Sequence, residues 1–143
     1  MINVDDKPLT KRIAIAEGYV KMKKETLEMI MNGKIKKGDT LCVSKIAGIS
    51  GAKYASILIP MCHPIPLSDV EVNINPANDD TLKVEASVIA TWKTGVEMEA
   101  LMAVSITCLN IYDMCKYIDR SMIIGSIRLT YKNGGKSGEF RTE

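Results

Sequence analysis

Residues Thr94–Lys116 read TGVEMEALMAVSITCLNIYDMCK, and the arrangement of the rest of the chain hangs on how this stretch folds. Glu, Met, Ala and Leu are strong helix formers, and neither Pro nor Gly interrupts the run from Val96 until Gly125. Thr94 and Gly95 suit a lead-in turn. Glu97 and Glu99 put negative charge in the first turn, where the helix dipole favours it. Beyond them, apolar residues fall all the way round: Val96, Met98, Leu101, Val104, Ile106, Leu109, Ile111, Met114 and Ile118. A surface helix shows one apolar stripe and one charged face. This one is therefore expected to be covered on two sides, by the chain's own sheet and by something else.

The same helix constrains function. Glu99 and Asp113 lie about 40° apart on the helical wheel but roughly 21 Å apart along the axis, at ~100° and ~1.5 Å per residue. A small substrate touching both needs two copies of the chain, one helix's start meeting the other's end. A site between copies is thus one reading. The plainer reading makes the acidic turn a capping feature and Asp113–Lys116 an i,i+3 surface ion pair.

A chain of 143 residues suits one domain, residues 1–143, with a core of its own. A net charge of +2 gives no reason to invoke nucleic acid or a membrane surface. No apolar run reaches bilayer length, and the polar start MINVDDKPL is unlike a signal peptide, so a cytoplasmic location is expected. Cys42, Cys62, Cys108 and Cys115 are scattered without a CxxC pair, which suits reduced core thiols better than disulfides or zinc. With one histidine in the chain, a His-rich metal site is excluded; a carboxylate-held metal is not signalled.

Outward from the long helix, Arg12–Met22 (RIAIAEGYVKM) alternates with strand period. Its side of Ala14, Ala16, Gly18 and Val20 is small enough for close backbone approach. KKETLEMIMNG then switches to helical spacing, with Leu27, Ile30 and Met31 inward and Asn32-Gly33 as a stop. After a basic loop, Asp39 can cap a helix TLCVSKIAG, with a second helical piece from Ser50 to Ile59. Pro60, Pro64 and Pro66 forbid helix around Met61-Cys62-His63. Strands follow at Asp69–Ile74 and Leu82–Trp92, and a last one at Met122–Tyr131 before a Gly-rich tail. The order β-α-(α)-β-β-α-β predicts an α+β chain: a ferredoxin-like βαββαβ sandwich with an extra helix and a four-stranded antiparallel sheet.

Some polar residues strain a pure core explanation. His63, fixed between prolines, could hold a substrate or work as acid or base near neutral pH; its plain alternative is a partly exposed loop histidine. Lys37 sits in a run that is usually just solvated. Asp113 and Lys116 lie among Tyr112, Met114, Cys115 and Tyr117, apolar neighbours that move pKa values as acid–base work requires. Gly135-Lys136-Ser137 mimics the end of a P-loop, but Thr130 stands where its first glycine belongs and the tail is too short for the helix it must open. Its glycine amides with Lys132 and Lys136 still make an anion cradle. The inventory points to proton transfer on an anionic, phosphorylated substrate, without an activated Ser or Cys.

The segments RIAIAEGYVKM, KGD, Lys45-Ile46-Ala47-Gly48-Ile49, LIPMCHP, TGVEMEAL, IYDMCK and GGKSG occur in one order across essentially the whole chain. In this the chain resembles the molybdenum cofactor biosynthesis protein C (MoaC) family, the cyclic pyranopterin monophosphate synthases. KTGVEMEAL and IYDMCK are highly specific to it. The resemblance implies a ferredoxin-like subunit in a homohexamer of three dimers, with active sites at the dimer interface and no cofactor. It implies a lyase reaction in which a cyclised dihydro-GTP, made by a radical-SAM enzyme upstream, becomes cyclic pyranopterin monophosphate and pyrophosphate. By position, Asp113, Lys116 and Lys37 resemble catalytic residues. Met61, Cys62 and His63, then Met98 and Glu99, resemble substrate-holding segments; Glu97 and Lys132 correspond to further pocket residues, with Lys132 and Lys136 facing phosphates. Lysines can balance phosphate charge where no metal motif exists, and magnesium on the triphosphate stays open.

The chain departs from the family pattern at Met61 (usually Leu), Tyr54 and Ile57 (usually Arg and an acid) and Asn3 (usually Asp). If the missing pair braces neighbouring subunits, contacts here become more apolar. Two rivals stand beside this reading. A ferredoxin-like RNA-binding module would need sheet aromatics, and the chain has one Phe and five Tyr without an RNP pattern. A non-catalytic nucleotide-binding domain would bind the triphosphate without needing Asp113 or Lys116. If Lys37 and Lys116 meet across an interface, inactive Lys37→Ala and Lys116→Ala chains are expected to complement each other.

Overall fold

The computed structural model describes residues 1–143. It runs β1 (Thr10–Lys21), α1 (Lys24–Met31), α2 (Thr40–Lys53), α3 (Ala55–Leu58), β2 (Asp69–Pro76), β3 (Thr81–Trp92), α4 (Glu97–Cys115), β4 (Ile123–Asn133) and β5 (Phe140–Arg141). The strands form one antiparallel sheet in the order β2-β3-β1-β4-β5. The expected α+β class holds, but the sheet has five strands rather than four. The added strand pairs only through Tyr131↔Arg141 and Lys132↔Phe140. A two-residue strand has no alternation to read.

Alternation in β1 and β3 does what its period dictates. Ala14, Ala16 and Val20, with Leu82, Val84, Ala86, Val88 and Ala90, are all at 0% exposure on the face that meets α4. Small side chains there let the helix sit close to the backbone. A Cβ on Gly18 would lie 2.7 Å from Val104 Cγ1 and 2.9 Å from Ile127 Cγ1. On the opposite face, Glu17 is held by Arg128 Nε at 3.0 Å and Lys83 Nζ at 3.3 Å.

The second cover of α4 is the chain's own α2. Here the glycines act against the expected break near Ser50: α2 runs unbroken to Lys53, and the chain turns at Tyr54 before α3. A Cβ on Gly51 would lie 2.7 Å from Ile106 Cγ1 and 3.0 Å from Met102 O; one on Gly48, 3.0 Å from Ala103 O. These glycines are close-approach positions, where two helix backbones touch, rather than stops. Asn110 Nδ2 donates to Ser44 Oγ at 3.0 Å across the same contact, and Asp39 caps α2 by accepting from Cys42 N at 3.1 Å. Within α4 the buried set includes small residues, Ala100, Ala103 and Cys108, beside the expected Val104, Ile111 and Met114. Leu109, expected inside, is 55% exposed. By length and composition α4 could cross a bilayer, contrary to the sequence expectation, yet its buried faces are taken up by the sheet and α2.

α1 differs by one position. Leu27 and Ile30 are buried as expected, but Met31 is 48% exposed and Thr26 is buried instead. The cause is Asp119, itself 1% exposed, whose Oδ2 accepts from Lys23 N and Thr26 Oγ1, each at 2.9 Å. Its Oδ1 accepts from Ser121 N at 3.0 Å and Ser121 Oγ at 2.6 Å. Burial pushes this carboxyl up, but the bonds from Lys23, Ser121 and Thr26 outweigh it and hold the pKa at about 2. A depressed carboxyl stabilises the fold above its unfolded value of about 4, and that stability is lost as pH falls toward 2. Asp119→Asn is therefore expected to lose about 2–3 kcal/mol at neutral pH, from a shift of roughly two units. Urea unfolding of both proteins between pH 7 and pH 2 should show the gap closing below about pH 4. A gap independent of pH would mean that the charge of Asp119 is not what its donors stabilise.

Candidate active site

The sequence-derived residues collect at the two ends of α4. At its C-terminal end, Lys116 Nζ lies 2.9 Å from Asp113 Oδ1, one helical turn away. The loop before α2 brings Lys37 Nζ to 3.4 Å from Asp113 Oδ2 and 2.9 Å from its backbone O. That loop is pinned by Lys36 N donating to Tyr117 OH at 2.8 Å. Lys116, then Lys37, hold the Asp113 carboxyl below the usual range, and Asp113 raises Lys116 in return. The side chains of Lys37, Asp113 and Lys116 are 44%, 56% and 51% exposed, so the apolar surroundings expected for them are absent in one chain. Met114 and Cys115 point into the core, leaving the charged trio on the surface.

At the N-terminal end of α4, the proline-held loop before β2 lies over the helix start. Met61, Cys62, His63, Glu97 and Met98 line a cavity of about 320 Å³. His63 Nε2 donates to Ile2 O at 2.8 Å, which leaves Nδ1 for another partner. Behind the cavity, Glu99 is 3% exposed; its Oε1 accepts from Cys62 Sγ at 3.7 Å, and its Oε2 has no partner. Burial raises the Glu99 carboxyl. Burial, then the nearby Glu99, pushes the Cys62 thiol up to about 11, so it is a donor rather than a nucleophile.

Lys132 Nζ is 2.8 Å from Glu97 Oε1. Lys136 does not join it: Lys136 lines a separate cavity of about 450 Å³ with Lys7, Thr10 and Arg12. Between the two lies a third, of about 490 Å³, which shares Lys7 with one and Met61, His63 and Thr94 with the other. Lys7, Thr10 and Arg12 escaped sequence reasoning. Arg12 opens a strand pattern, and nothing near it in the chain shows that the Gly134-Gly135 turn folds back over it.

α4 thus separates two groups of functional side chains, with Glu99 and Asp113 roughly 21 Å apart along its axis at ~1.5 Å per residue. Lys37, Asp113 and Lys116 come together; His63, Cys62, Met61, Glu97, Met98 and Glu99 come together; one chain does not join the two.

The MoaC family model matches residues 1–135. A cyclic pyranopterin monophosphate synthase from Brevibacillus brevis is 49% identical over 140 residues, covering 98% of this chain and 88% of that protein. The proteins of that name from Dinoroseobacter shibae and Desulfitobacterium hafniense are each 51% identical, covering 100% of this chain and 91% and 88% of their own. A model match over nearly the whole length, with half the residues identical to these relatives, leaves one conclusion: the chain belongs to the MoaC family.

Proposed function

We propose that the chain works as a cyclic pyranopterin monophosphate synthase in molybdenum cofactor biosynthesis, converting a cyclised dihydro-GTP to the cyclic pterin monophosphate with release of pyrophosphate. The observation that carries this is the identity of about half of all residues to synthases of that name, extending over both ends of α4. Asp113, Lys116 and Lys37 supply a carboxylate and two ammonium groups in mutual contact, the parts of a proton relay. His63, Cys62, Met98 and Glu99 form the holding end for the ring system, where the buried Glu99 and the Cys62 thiol offer hydrogen bonds.

The same reading makes residues 1–143 one domain, with 24 buried apolar residues, drawn from β1, α1, α2, β2, β3, α4 and their connections, in a single cluster against which Ile124 and Leu129 of β4 pack. It also makes the fold ferredoxin-like, supported by the order β2-β3-β1-β4 and by helix α4 packed on three of those strands. Because one chain parts the two groups, the working unit is an assembly, a homohexamer of three dimers, in which one copy's α4 start meets another's α4 end. Covering Asp113 and Lys116 in that way would desolvate them and move both pKa values back toward neutrality, where proton transfer is efficient. Exposed Ile46, Tyr54, Ile57, Leu58 and Leu109 offer apolar contact for further copies, with Tyr54 and Ile57 replacing the charged pair usual in the family. Four free cysteines suit a reducing cytoplasm.

The test is incubation with the product of the radical-SAM step, reading pyrophosphate and pterin. Both should appear in equal amounts. Tight nucleotide binding with neither product would make the chain a non-catalytic binding domain.

A further inference from the structure

Lys37 owes its place to a turn that little else holds. Gly38 N donates to Ile35 O at 3.1 Å, which makes Ile35–Gly38 a β-turn with Lys36 and Lys37 at its two central positions. Both feet of the turn are anchored. Ile35 is 5% exposed and belongs to the core cluster, and Asp39, the next residue after Gly38, caps α2. The tip is different. A β-turn bonds its first residue to its fourth and gives the second residue's N–H no partner of its own. Here that N–H, of Lys36, donates to Tyr117 OH at 2.8 Å. No other bond ties the Lys36-Lys37 backbone to the body of the protein.

The acceptor has a firm base. Tyr117 follows Lys116 directly, and the turn that carries it is tied down by Ile118 N and Asp119 N, which donate to Cys115 O at 3.0 and 3.1 Å. Cys115 and Asp119, two residues to either side, are buried. A tyrosine has few side-chain torsions to freeze compared with a lysine, so it loses little freedom in reaching the turn. The same end of α4 carries Asp113 and Lys116. Tyr117 therefore sets the Lys36-Lys37 tip in the frame of the carboxylate that Lys37 must meet. Without it, the contacts of Lys37 Nζ with Asp113 Oδ2 at 3.4 Å and Asp113 O at 2.9 Å would have to order a long, half-exposed side chain and its backbone together.

We propose that Tyr117 is a positioning residue: its hydroxyl holds the tip of the Ile35–Gly38 turn so that Lys37 stands on Asp113 in the geometry that proton transfer needs. The hydroxyl's one bond within the chain goes to Lys36 N, so it acts through Lys37 rather than beside it. Its effect on turnover rests on the reaction proposed above; the tether itself does not.

Tyr117→Phe keeps the ring, which is 42% exposed, and removes only the oxygen, so the variant is expected to fold. Hydrogen-exchange mass spectrometry on the full-length protein tests the tether without turnover. The peptide containing Lys36 should exchange about 3- to 10-fold faster in Tyr117→Phe, the scale of one lost hydrogen bond, with α2 unchanged. Turnover should show kcat down by a similar factor and KM unaltered, since Lys37 lies at the end of α4 away from His63. A double-mutant cycle separates positioning from general loosening. Lys37→Ala alone should cost about 100-fold or more, and adding Tyr117→Phe to it should cost nothing further, because the side chain being positioned is gone. An equal loss from Tyr117→Phe in both backgrounds, or wild-type kcat in Tyr117→Phe, would overturn the assignment, and unchanged exchange at Lys36 would overturn the tether. If exchange at Lys36 rises but the wild type forms no pterin, the tether stands and the reaction reading falls.

Discussion

Asp113→Asn should fold, assemble and bind nucleotide, yet turn over about 100- to 10,000-fold more slowly, the usual contribution of a positioned acid–base group. The small structural cost follows from its place. The side chain of Asp113 is 56% exposed, and its contacts are the ammonium groups of Lys37 and Lys116. Surface ion pairs of that kind contribute little to stability. The large chemical cost follows from the same contacts: Asn keeps the shape but neither carries the charge that holds two lysines together nor accepts a proton. Circular dichroism and size-exclusion chromatography should match the wild type while the cyclised GTP accumulates unconverted. Wild-type turnover would remove Asp113 from the mechanism.

Mixed assemblies carry the second large effect. Lys37 and Lys116 both reach Asp113 of their own chain, so Lys37→Ala and Lys116→Ala chains should not rescue each other, whatever the assembly. The condition set for their complementation, that the two lysines meet across an interface, is not met within this structure. The pair expected to complement is Asp113→Asn with His63→Ala, one from each end of α4. In a site shared by two copies, a heterodimer of these variants has one site with both lesions and one with neither. Random mixing at equal amounts should thus restore about a quarter of wild-type activity from two nearly inactive proteins, since half the dimers are mixed. Complete failure, with mixed dimers verified by mass spectrometry, would mean that each chain builds its site alone.

Much of this site is legible in the amino-acid order because short-range rules govern it. Asp113 and Lys116 are one helical turn apart, and Met61–His63 are set by flanking prolines, so both groups follow from helix geometry and proline sterics. Glu99 is harder. Its first-turn position suggests capping, whereas its burial and its contact with Cys62 come from a loop far earlier in the chain. Arg12 lay outside reach altogether: its hydrogen-bond acceptors, Gly134 O and Lys93 O, are more than eighty residues away, just past the ends of other strands. The glycines of α2 misled for a related reason. Gly48 and Gly51 look like breakers in isolation, and they are contact points once α4 lies against them.

What local pattern settles here is the α+β class, the order of elements, the alternating inner face of the sheet and the helix that carries Glu97 to Lys116. Each depends on a period of two or 3.6 residues, or on proline and capping chemistry, and such interactions span only a few residues. Packing settled the rest: which cover α4 takes, that a two-residue strand closes the sheet, that Lys132 pairs with Glu97 while Lys136 lines a separate cavity, and that Asp119 rather than Met31 organises α1. Those outcomes turn on contacts between residues distant in the chain, whose side chains compete for the same space and the same hydrogen bonds, and no periodicity records who wins.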